Sequence, residues 1–378
     1  MRVLHIVESF DNNYGGPSKS IAFLALALTK YNAINTIISV DKQYSTNDVV
    51  KNTDLKWIKC APLINIKMFK YFSISFFFKA FFEIGKCDVV HFHSVWSSPT
   101  LIGYLYCILF KKKYYMSPRS SLMIKSMSTK SHLKKTLRKL FLNVMIRSSR
   151  CIFLTSNEEN ENFNSLGFIN SRVKIIPNII DFDLLSSTIS QYGSRKALNI
   201  PVDQFIFTFF SRIHRRKNLH LLIENWILIN RVNDLKCFLF VAGPVHDQKY
   251  FNYCLQLINN SGLVSQFKYF GVLSGIDRTY FLKSSDTFVL PSEFENFGMS
   301  IAESLSVGVP VIITKNTPWV AIDKNCGWFI DKDDLLAAMK EARTSNLNSM
   351  RNNAIEYITK NFSSDHVASL HYHEYLRK

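Results

Sequence analysis

The sequence predicts an α/β protein made of two doubly wound domains, and three observations support this. The 378 residues exceed the length of one ordinary domain, so two domains of about 180 residues each are the default expectation. The hydrophobic fraction is 47% and the charged fraction is 20%, as in a globular protein with real cores. Short apolar runs alternate with amphipathic segments in both halves, which is typical of βαβ units with parallel strands.

In the first half, continuous apolar runs predict buried strands, and apolar residues at helical spacing predict the helices between them. The predicted strands cover residues 3–7, 36–40, 88–92 and 151–155. The predicted helices cover residues 21–28, 98–110 and 131–147. A glycine-containing turn at 15–18 leads into the first of these helices.

The second half repeats this alternation. Its predicted strands cover residues 205–210, 237–242, 267–270, 287–290 and 309–313. Its predicted helices cover residues 219–231, 250–261, 276–283, 301–307 and 334–343. Each half therefore contains enough strand–helix units for a parallel sheet of its own.

The linker is predicted within residues 181–203, which are polar and lack a strong period. The predicted domains are 1–185 and 186–360, and residues 361–378 form a C-terminal helix that could cross back to the first domain. Each doubly wound domain offers a ligand crevice at the carboxyl ends of its strands. Two crevices that face each other would form a cleft.

The positive charge is unevenly distributed. The net charge is +17, of which residues 1–175 carry +15 and residues 176–378 carry +2. No acidic residue occurs between Asp88 and Glu158, a gap that holds 12 lysines and arginines. This asymmetry indicates that the first half meets something anionic: a membrane surface, a nucleic acid or a phosphorylated substrate. The alternative is a solvated basic face with no partner.

The stretch at 68–86 is unusually aromatic, with eight aromatic residues between Phe69 and Phe82 and interspersed lysines. As a helix, it would suit a membrane interface. The alternative is a core helix whose lysines extend from its edges to solvent. A neighbouring basic block favours the membrane; it contains Lys134, Lys135, Arg138 and Lys139.

The seven cysteines are scattered and form no C-x-x-C pair, which argues against a disulfide framework and a zinc site, and for a reducing compartment. The opening residues MRVLHIVESF do not resemble a signal peptide. The longest apolar stretch, at 101–110, is half the roughly 20 residues needed to span a bilayer. A cytoplasmic protein is therefore expected.

The stretch PSEFENFGMSIAESLSVGVPV, at 291–311, carries the strongest chemical signal. A helix is predicted to begin near Ser300, and Glu303 three residues later would complete a capping box. Glu295 lies in the preceding loop, close to Gly298, which lets backbone approach a ligand closely. A loop that leads into a helix N-terminus favours anions such as diphosphate, while carboxylates accept hydrogen bonds from hydroxyls. Together these features predict a nucleotide-sugar site.

The run P-S-x-x-E-x-F-G-x-x-x-x-E, continuing to G-x-P-V, resembles the donor-site motif of the retaining GT-B glycosyltransferases of family four, which include bacterial surface-polysaccharide enzymes. The resemblance implies two Rossmann-like domains that face each other across a cleft. It also implies that Glu295 holds sugar hydroxyls near the anomeric carbon and that Glu303 holds the ribose hydroxyls. The donor site would further include the loop residues Asn296, Phe297, Gly298 and Met299.

The segment 209–219, FFSRIHRRKNL, follows a predicted strand and places Arg212 and Lys217 around a turn. A guanidinium binds two phosphate oxygens at once, and an ammonium supplies a compact charge. Both would stabilise the charge that builds on a leaving diphosphate. The family has an Arg and then a Lys at this spacing, whereas Arg215 and Arg216 could simply be solvated.

Two segments of the first half complete the resemblance to the donor site. Residues 14–18 resemble the family's N-terminal glycine loop, with Gly16 on the donor side and Gly15 on the acceptor side. His91 and His93 lie at the end of a predicted strand and point the same way. By resemblance His93 would contact the donor sugar and act in catalysis; the alternative is a hydrogen-bonded structural histidine. No third ligand stands nearby in the sequence, so no metal is predicted.

The segment 114–123 resembles a Pro-Arg-Gly-Met-Leu segment of bacterial members, with Ser120 and Ser121 in place of Gly and Met. It places Arg119 on the acceptor side.

The resemblance thus implies a metal-independent, retaining glycosyltransferase without a cofactor. It would move a sugar from a UDP or GDP donor to a glycan hydroxyl, with the acceptor on undecaprenyl diphosphate, in bacterial O-antigen, capsule or exopolysaccharide synthesis. By analogy with the family, the leaving phosphate itself would accept the acceptor's proton on the same face. The expected location is cytoplasmic, peripheral at the inner face of the cytoplasmic membrane.

Two alternatives remain open. One is a nucleotide-sugar epimerase of GT-B fold, which would need no lipid surface. The other is a non-enzymatic membrane- or nucleic-acid-binding protein that uses the basic half. No nucleic-acid motif is recognised, and the phosphate-binding residues cluster in the nearly neutral half, so no nucleic-acid partner is expected.

Overall fold

The protein is described by a computed structural model. It covers residues 1–14, 16–63, 71–119, 121–122, 141–168, 172–180, 189–232 and 237–377. Several sequence predictions lie outside these residues: those for Gly15 and Ser120, the start of the aromatic stretch at 68–70, and the basic block of Lys134, Lys135, Arg138 and Lys139. The chain divides into two compact units. Unit 1 is Met1–Ile179 with Ser364–Lys378, and unit 2 is Ile180–Ser363.

Unit 1 contains, within its described residues, a seven-stranded parallel sheet in the order β3-β2-β1-β4-β5-β6-β7. The strands are β1 (Arg2–Ile6), β2 (Ile34–Ser39), β3 (Lys56–Lys59), β4 (Val89–Phe92), β5 (Lys113–Met116), β6 (Cys151–Leu154) and β7 (Val173–Ile175). The chain order reverses between β1 and β4, which places the topological switch point, where doubly wound folds bind ligands, beside these two strands.

Helices cover this sheet, and serine side chains cap three of those that the structure describes. The described helices are α1 (Gly16–Thr29), α2 (Ile74–Lys86), α3 (Ser98–Leu109), α4 (Asn143–Ser148) and α5 (Asn157–Ser165). Helices α2, α3 and α5 each follow a serine whose hydroxyl accepts a backbone N–H of the first turn; these serines are Ser73, Ser97 and Ser156. Such caps satisfy amides that the helix itself leaves without acceptors.

Unit 2 holds a six-stranded parallel sheet in the order β10-β9-β8-β11-β12-β13, again counted over the described residues. Its strands are β8 (Ile206–Phe210), β9 (Phe238–Ala242), β10 (Phe267–Tyr269), β11 (Thr287–Leu290), β12 (Val311–Thr314) and β13 (Gly327–Ile330). Its helices are α6 (Gln191–Ala197), α7 (Leu219–Val232), α8 (Gln248–Ser261), α9 (Gly275–Lys283), α10 (Met299–Ser306), α11 (Leu335–Thr344) and α12 (Asn348–Phe362). The switch point lies between β8 and β11.

The last helix, α13 (Ser364–Leu376), belongs to unit 1 and packs on α1. Its Val367 and Tyr375 are buried in a cluster with Val3 and Leu28 of the sheet and α1. The hydroxyl of Tyr115 on β5 donates a hydrogen bond to the carbonyl of Glu374, 2.9 Å away. The end of the chain is therefore part of the first unit's core.

The predicted class, two doubly wound α/β domains, is confirmed. The sequence analysis missed β3, β5, β7 and β13, which are only three or four residues long and contain lysine or glycine. Helix α6 lies within residues 181–203, where the sequence analysis expected the linker, and it packs on α9 of unit 2. The reason is a buried anchor: Arg195 of α6 forms an ion pair of 2.6 Å with Asp286.

Helix α2 combines the two alternatives that the sequence analysis left open. Phe76, Ala80 and Ile84 are buried in the core of unit 1, while other phenylalanines of the helix are exposed. Among the helices that the structure describes, none is both long enough and apolar enough to cross a membrane.

Candidate functional site

Two loops of unit 2 meet at its switch point, one after β8 and one after β11. The neighbouring parallel strands end at the same edge of the sheet, and hydrogen bonds join the loops that follow. The N–H of Glu293 donates to the carbonyl of Arg216 at 2.9 Å. The side-chain amide of Asn218 donates to the carbonyl of Pro291 at 2.9 Å. The two loops therefore form one continuous surface.

Lys217 and Glu295, predicted from separate motifs, form an ion pair on this surface. Lys217 ends a short 3₁₀ turn, Arg215–Lys217, which is capped by the His214 side chain. The side chains of Lys217 and Glu295 are each only 12% exposed. Because water is largely excluded from this pair, the contact between ammonium and carboxylate is stronger than one on an open surface.

The other cations of this loop differ in their surroundings. Arg212 is exposed and makes no ion pair with any described carboxylate. Arg215 lies 3.7 Å from Asp247, and Arg216 is exposed. The loop thus combines a paired lysine with an arginine that is accessible to an anion.

The predicted capping box at Ser300 and Glu303 was wrong. Helix α10 begins one residue earlier, at Met299, after Gly298 at the N-cap with a φ of +80°. A Cβ at Gly298 would lie 2.7 Å from the Ile301 Cδ1 atom, so glycine is needed there. With the helix start shifted, Glu303 forms no cap. It pairs instead with Arg278 of α9, whose Nη1 lies 2.8 Å from Oε1 of Glu303.

The rest of the predicted donor loop is fixed by aromatic packing. Phe297 is buried, and its ring centroid lies 5.3 Å from that of Trp319. The indole N–H of Trp319 also donates to the carbonyl of Phe297. Asn296 is half-buried, and Met299 packs against the core of unit 2. The loop that carries Glu295 is therefore held in place without a ligand.

In unit 1, Gly16 is the first residue of α1. Just before it, the Tyr14 hydroxyl donates to Glu8 at 2.9 Å.

The two predicted histidines are joined by a third, since the pairing of β1 with β4 puts His5 opposite His91. The expectation that no third ligand stands near was therefore wrong. The sequence analysis overlooked His5, whose place on β1, the strand next to the switch point, could have indicated that it joins this cluster.

The ligand nitrogens of His5, His91 and His93 lie within 4.8 Å of one another, a spacing that could hold a metal ion. A hydrogen-bond network already occupies them. His5 Nδ1 lies 2.9 Å from His93 Nε2, and His5 Nε2 lies 3.2 Å from Asn35 Oδ1. An arginine, Arg119, approaches the same cluster and would repel a cation. The arrangement favours a hydrogen-bonded histidine network over a metal centre.

The network has one consistent direction. Arg119 Nε can only donate, so His93 Nδ1 accepts from it at 3.3 Å and His93 carries its proton on Nε2. His93 then donates to His5, and His5 donates to Asn35. Both histidines are neutral in this arrangement. Burial lowers the pKa of His5 to about 4 and lowers the pKa of His93 well below its usual range, and the charge of Arg119 lowers both further.

His91 is held from the other side by α13. Its Nδ1 lies 2.7 Å from the Tyr375 hydroxyl, and its Nε2 lies 2.8 Å from Ser117 Oγ. Nearby, His371 is buried, and its Nδ1 has no hydrogen-bond partner within the described part of the chain. Burial lowers the pKa of His371 to about 3.

Arg119 is held only by neutral acceptors. It adopts a left-handed backbone conformation with a φ of +48°, which is uncommon for a residue other than glycine. Its Nη1 donates to Ser20 Oγ at 2.7 Å and to Asn178 Oδ1 at 2.9 Å. It forms no ion pair with a carboxylate that the structure describes. Burial lowers the pKa of Arg119 to about 10, so it remains charged at neutral pH.

Residues 191–361, which lie within unit 2, match the family model described as "Glycosyl transferases group 1". This region, less than half of the chain, is therefore similar to a group 1 glycosyltransferase domain. The group 1 domain includes both loops of the surface described above, with Arg212, Lys217, Glu295 and Glu303.

Two relatives match parts of the chain. An uncharacterized glycosyltransferase of Methanocaldococcus jannaschii is 22% identical over 234 residues, 61% of this chain and 58% of that protein. The Escherichia coli UDP-Gal:alpha-D-GlcNAc-diphosphoundecaprenol alpha-1,3-galactosyltransferase is 25% identical over 256 residues, 66% of this chain and 64% of that enzyme. The match therefore spans less than two thirds of either relative.

The structure of HepE from Anabaena, in complex with UDP and glucose, superimposes with a TM-score of 0.80 at 16% identity, covering 99% of this chain and 98% of that chain. The predicted GT-B fold is confirmed, and the group 1 domain is its second half.

Proposed function

We propose that this chain is a retaining glycosyltransferase that moves a sugar from a nucleotide-diphosphate sugar to a hydroxyl of a glycan acceptor. The observation that carries the proposal is the Lys217–Glu295 pair at the switch point of the group 1 domain, with Arg212 exposed on the same loop as Lys217. One surface thus offers cations for a diphosphate and a carboxylate for sugar hydroxyls.

Donor binding would exchange the partners of this pair. The diphosphate attracts the Lys217 ammonium and the Arg212 guanidinium, because each phosphate carries negative charge. Glu295, released from Lys217, accepts hydrogen bonds from the sugar hydroxyls. As the bond to the anomeric carbon breaks, charge grows on the leaving phosphate, and both cations stabilise it more strongly than in the ground state.

Glu303 is suited to the ribose of the nucleotide. Arg278 holds Oε1 of Glu303 at 2.8 Å. The second carboxylate oxygen can accept hydrogen bonds from the vicinal hydroxyls of a ribose. Arg278 thereby acts as a positioning residue, because it fixes the carboxylate before the nucleotide arrives.

The proposal includes retention and metal independence, and the same charges support the second. Lys217 and Arg212 supply positive charge where other transferases use a divalent ion. In the donor complex Glu295 would already accept hydrogen bonds from the donor's sugar hydroxyls, so it is better suited to bind hydroxyls than to abstract the acceptor's proton. We propose that the leaving phosphate accepts the acceptor's proton on the face it leaves.

The proposed acceptor is a glycan on undecaprenyl diphosphate, in the synthesis of a bacterial surface polysaccharide such as O-antigen. The E. coli relative is named for a diphosphoundecaprenol acceptor, and residues 1–175 carry a net charge of +15. Arg119, a cation with neutral partners in unit 1, is suited to the acceptor's diphosphate. The enzyme would act at the inner face of the cytoplasmic membrane, whose lipids are anionic.

Isothermal titration calorimetry with UDP and with GDP, in EDTA, tests the donor site. We expect saturable binding of one nucleotide, weakened about tenfold or more in Lys217→Gln and in Arg212→Gln, since each removes a charged contact to phosphate. Arg216→Gln, on the same loop and exposed, is the matched control and should bind like the wild type. Binding of neither nucleotide, in EDTA or in a buffer with magnesium, would overturn the proposal. Binding abolished by EDTA would overturn metal independence alone.

The stereochemistry has its own test. Proton NMR of the first product formed should show the anomeric configuration of the donor sugar. An inverted product would contradict retention and leave nucleotide binding intact.

A further inference from the structure

Unit 1 exposes a broad apolar face on two helices that pack side by side, α2 and α3. On α2, four phenylalanines are 38–60% exposed: Phe77, Phe78, Phe81 and Phe82. Near the end of α3, three aliphatic residues are 50–61% exposed: Leu105, Ile108 and Leu109. We call these seven side chains the aromatic face. Soluble proteins rarely leave so many neighbouring apolar side chains in water without a partner.

The two helices contribute to one surface. The rings of Phe77 and Phe81 each lie 5.4 Å from the ring of Tyr106 on α3. Phe81 also lies 4.9 Å from Phe110, the residue after α3. The inner residues of α2 are already in the core of unit 1. The exposed phenylalanines therefore cannot turn inward, and they remain available to a partner.

A cationic cavity lies where these helices end. It has a volume of about 450 Å³ and is lined by Lys111, Lys112, Lys113, Tyr114, Ser148, Ser149, Arg150 and Arg172. Five of these residues are cationic and none is acidic. Lys112 connects the cavity to α2, because its ammonium donates to the carbonyl of Cys87, directly after that helix, at 2.7 Å. We call it the basic pocket.

Nearby carboxylates have other cationic partners. Glu374 lies 3.0 Å from Arg377 and 3.8 Å from Lys174. Glu83, the one acidic residue of α2, pairs with Lys56 at 2.9 Å. The basic pocket is therefore cationic and the neighbouring aromatic face is apolar, and both Glu374 and Glu83 are already paired with other cations.

We propose that the aromatic face and the basic pocket together dock this protein on an anionic phospholipid bilayer. The phenylalanines enter the boundary between headgroups and acyl chains, and the pocket takes a lipid phosphate. A free phosphate would fill the pocket but leave the apolar face in water. A nucleic acid would meet the cations but not bury seven apolar side chains. This inference rests on the membrane partner of the proposed function and locates it on described residues.

Co-sedimentation with vesicles tests this proposal. The vesicles are phosphatidylcholine alone or phosphatidylcholine mixed with phosphatidylglycerol. We expect binding only to the anionic vesicles, weakened by salt. The partition coefficient should fall about tenfold or more in Phe78→Ser/Phe82→Ser and in Lys111→Gln/Arg150→Gln, since each removes one half of the site.

Matched controls come from exposed residues of unit 2. Val264→Ser/Val272→Ser removes exposed apolar area, and Lys332→Gln/Lys340→Gln removes two exposed charges. Both should bind vesicles like the wild type. Equal binding by the site variants and the controls would overturn the proposal. Binding of an RNA homopolymer that is lost in Lys111→Gln/Arg150→Gln but kept in Phe78→Ser/Phe82→Ser, without vesicle binding, would also overturn it.

A second measurement does not depend on weakening the site. In Phe78→Trp, the new indole should shift its emission to the blue on anionic vesicles and be quenched by brominated lipid chains. Absence of quenching would contradict insertion of the aromatic face. Nucleotide binding by calorimetry should be unchanged in every variant of this section, so a failed docking site and a failed donor site give different results.

Discussion

In unit 2, two cations of the proposed donor site are paired with carboxylates: Lys217 with Glu295, and Arg278 with Glu303. In unit 1, the buried histidines at the switch point are neutral, and Arg119 donates only to neutral acceptors within the described residues. Both units place these groups where a doubly wound sheet binds ligands. They differ in whether the protein itself supplies the counter-charge.

This difference predicts two kinds of binding. A paired cation must leave its carboxylate when a ligand arrives, so the ligand gains only the difference between two ion pairs. A cation with neutral partners loses its hydration on folding and has no carboxylate to exchange, so it is prepared for an anion. Unit 2 is thus suited to a ligand with both phosphates and hydroxyls, and unit 1 is suited to an anionic group.

The largest expected effect is a pH dependence confined to unit 1. A histidine whose pKa is lowered in the folded state stays neutral there while the unfolded chain takes up a proton. Stability is therefore full above pH 6.5 and falls as the pH decreases, by about 1.4 kcal/mol per pH unit for each such histidine. For His5, whose pKa is lowered to about 4, the loss reaches about 3 kcal/mol at pH 4.

Hydrogen exchange followed by mass spectrometry between pH 7 and pH 5 separates the two units. We expect loss of protection in the strands of unit 1 before those of unit 2. His371→Leu is the sharpest variant, since Nδ1 of His371 has no hydrogen-bond partner in the described structure to lose. This variant should remove one histidine's share of the pH dependence of stability, about 1.4 kcal/mol per pH unit. Removal of the exposed His373 should not change that dependence. Equal loss of protection in the two units would contradict the expected difference between them.

The proximity of Lys217 and Glu295 was predictable from sequence, and the reason is local. Lys217 and Glu295 lie in short loops that follow β8 and β11, two strands whose continuous apolar sequences predict burial. In a parallel sheet, the loops after neighbouring strands lie at the same edge. The strand order around the switch point then brings the two side chains together. The family motif added the expectation of their roles.

The partners of these residues were not predictable in the same way. His5 meets His91 only because β1 lies beside β4, and Arg278 meets Glu303 only because α9 packs near α10. Tyr375 reaches His91 because α13 returns to unit 1, across 284 residues of sequence. The capping box failed because Gly298 turned the chain into the helix one residue early. Each of these depends on tertiary packing rather than on local pattern.

The next largest effect is expected at the buried pair of unit 2. Arg278→Met should leave the Glu303 carboxylate buried without its partner and lower the free energy of unfolding by about 3 kcal/mol. Arg278→Met/Glu303→Leu should restore most of that stability, because no buried charge remains. Urea denaturation measures both. A double variant as unstable as the single one would show that the charge pair is not the cause.

Glu295→Gln should affect chemistry more than folding. The amide cannot balance Lys217 and accepts hydroxyl hydrogen bonds less strongly, so we expect turnover to fall roughly hundredfold, in the range seen when one polar group at a reacting centre is removed. Nucleotide binding measured by calorimetry should persist. Glu293→Gln, an exposed neighbour in the same loop, should turn over like the wild type. If both variants were equally active, Glu295 would be no more than the structural partner of Lys217.

The smallest effect is expected where α13 joins the histidine network. Tyr375→Phe removes the hydroxyl that lies 2.7 Å from His91 Nδ1 and leaves that buried nitrogen without its partner, which should cost about 1 to 2 kcal/mol of unfolding free energy. Tyr372→Phe is the control, because Tyr372 contributes a ring stacked 4.9 Å from that of Tyr31, and the ring is kept. A Tyr375→Phe protein as stable as this control would mean that α13 is held to unit 1 by apolar packing alone. The neutral network of unit 1 would then end at Ser117 and Asn35, within the sheet's own strands and loops.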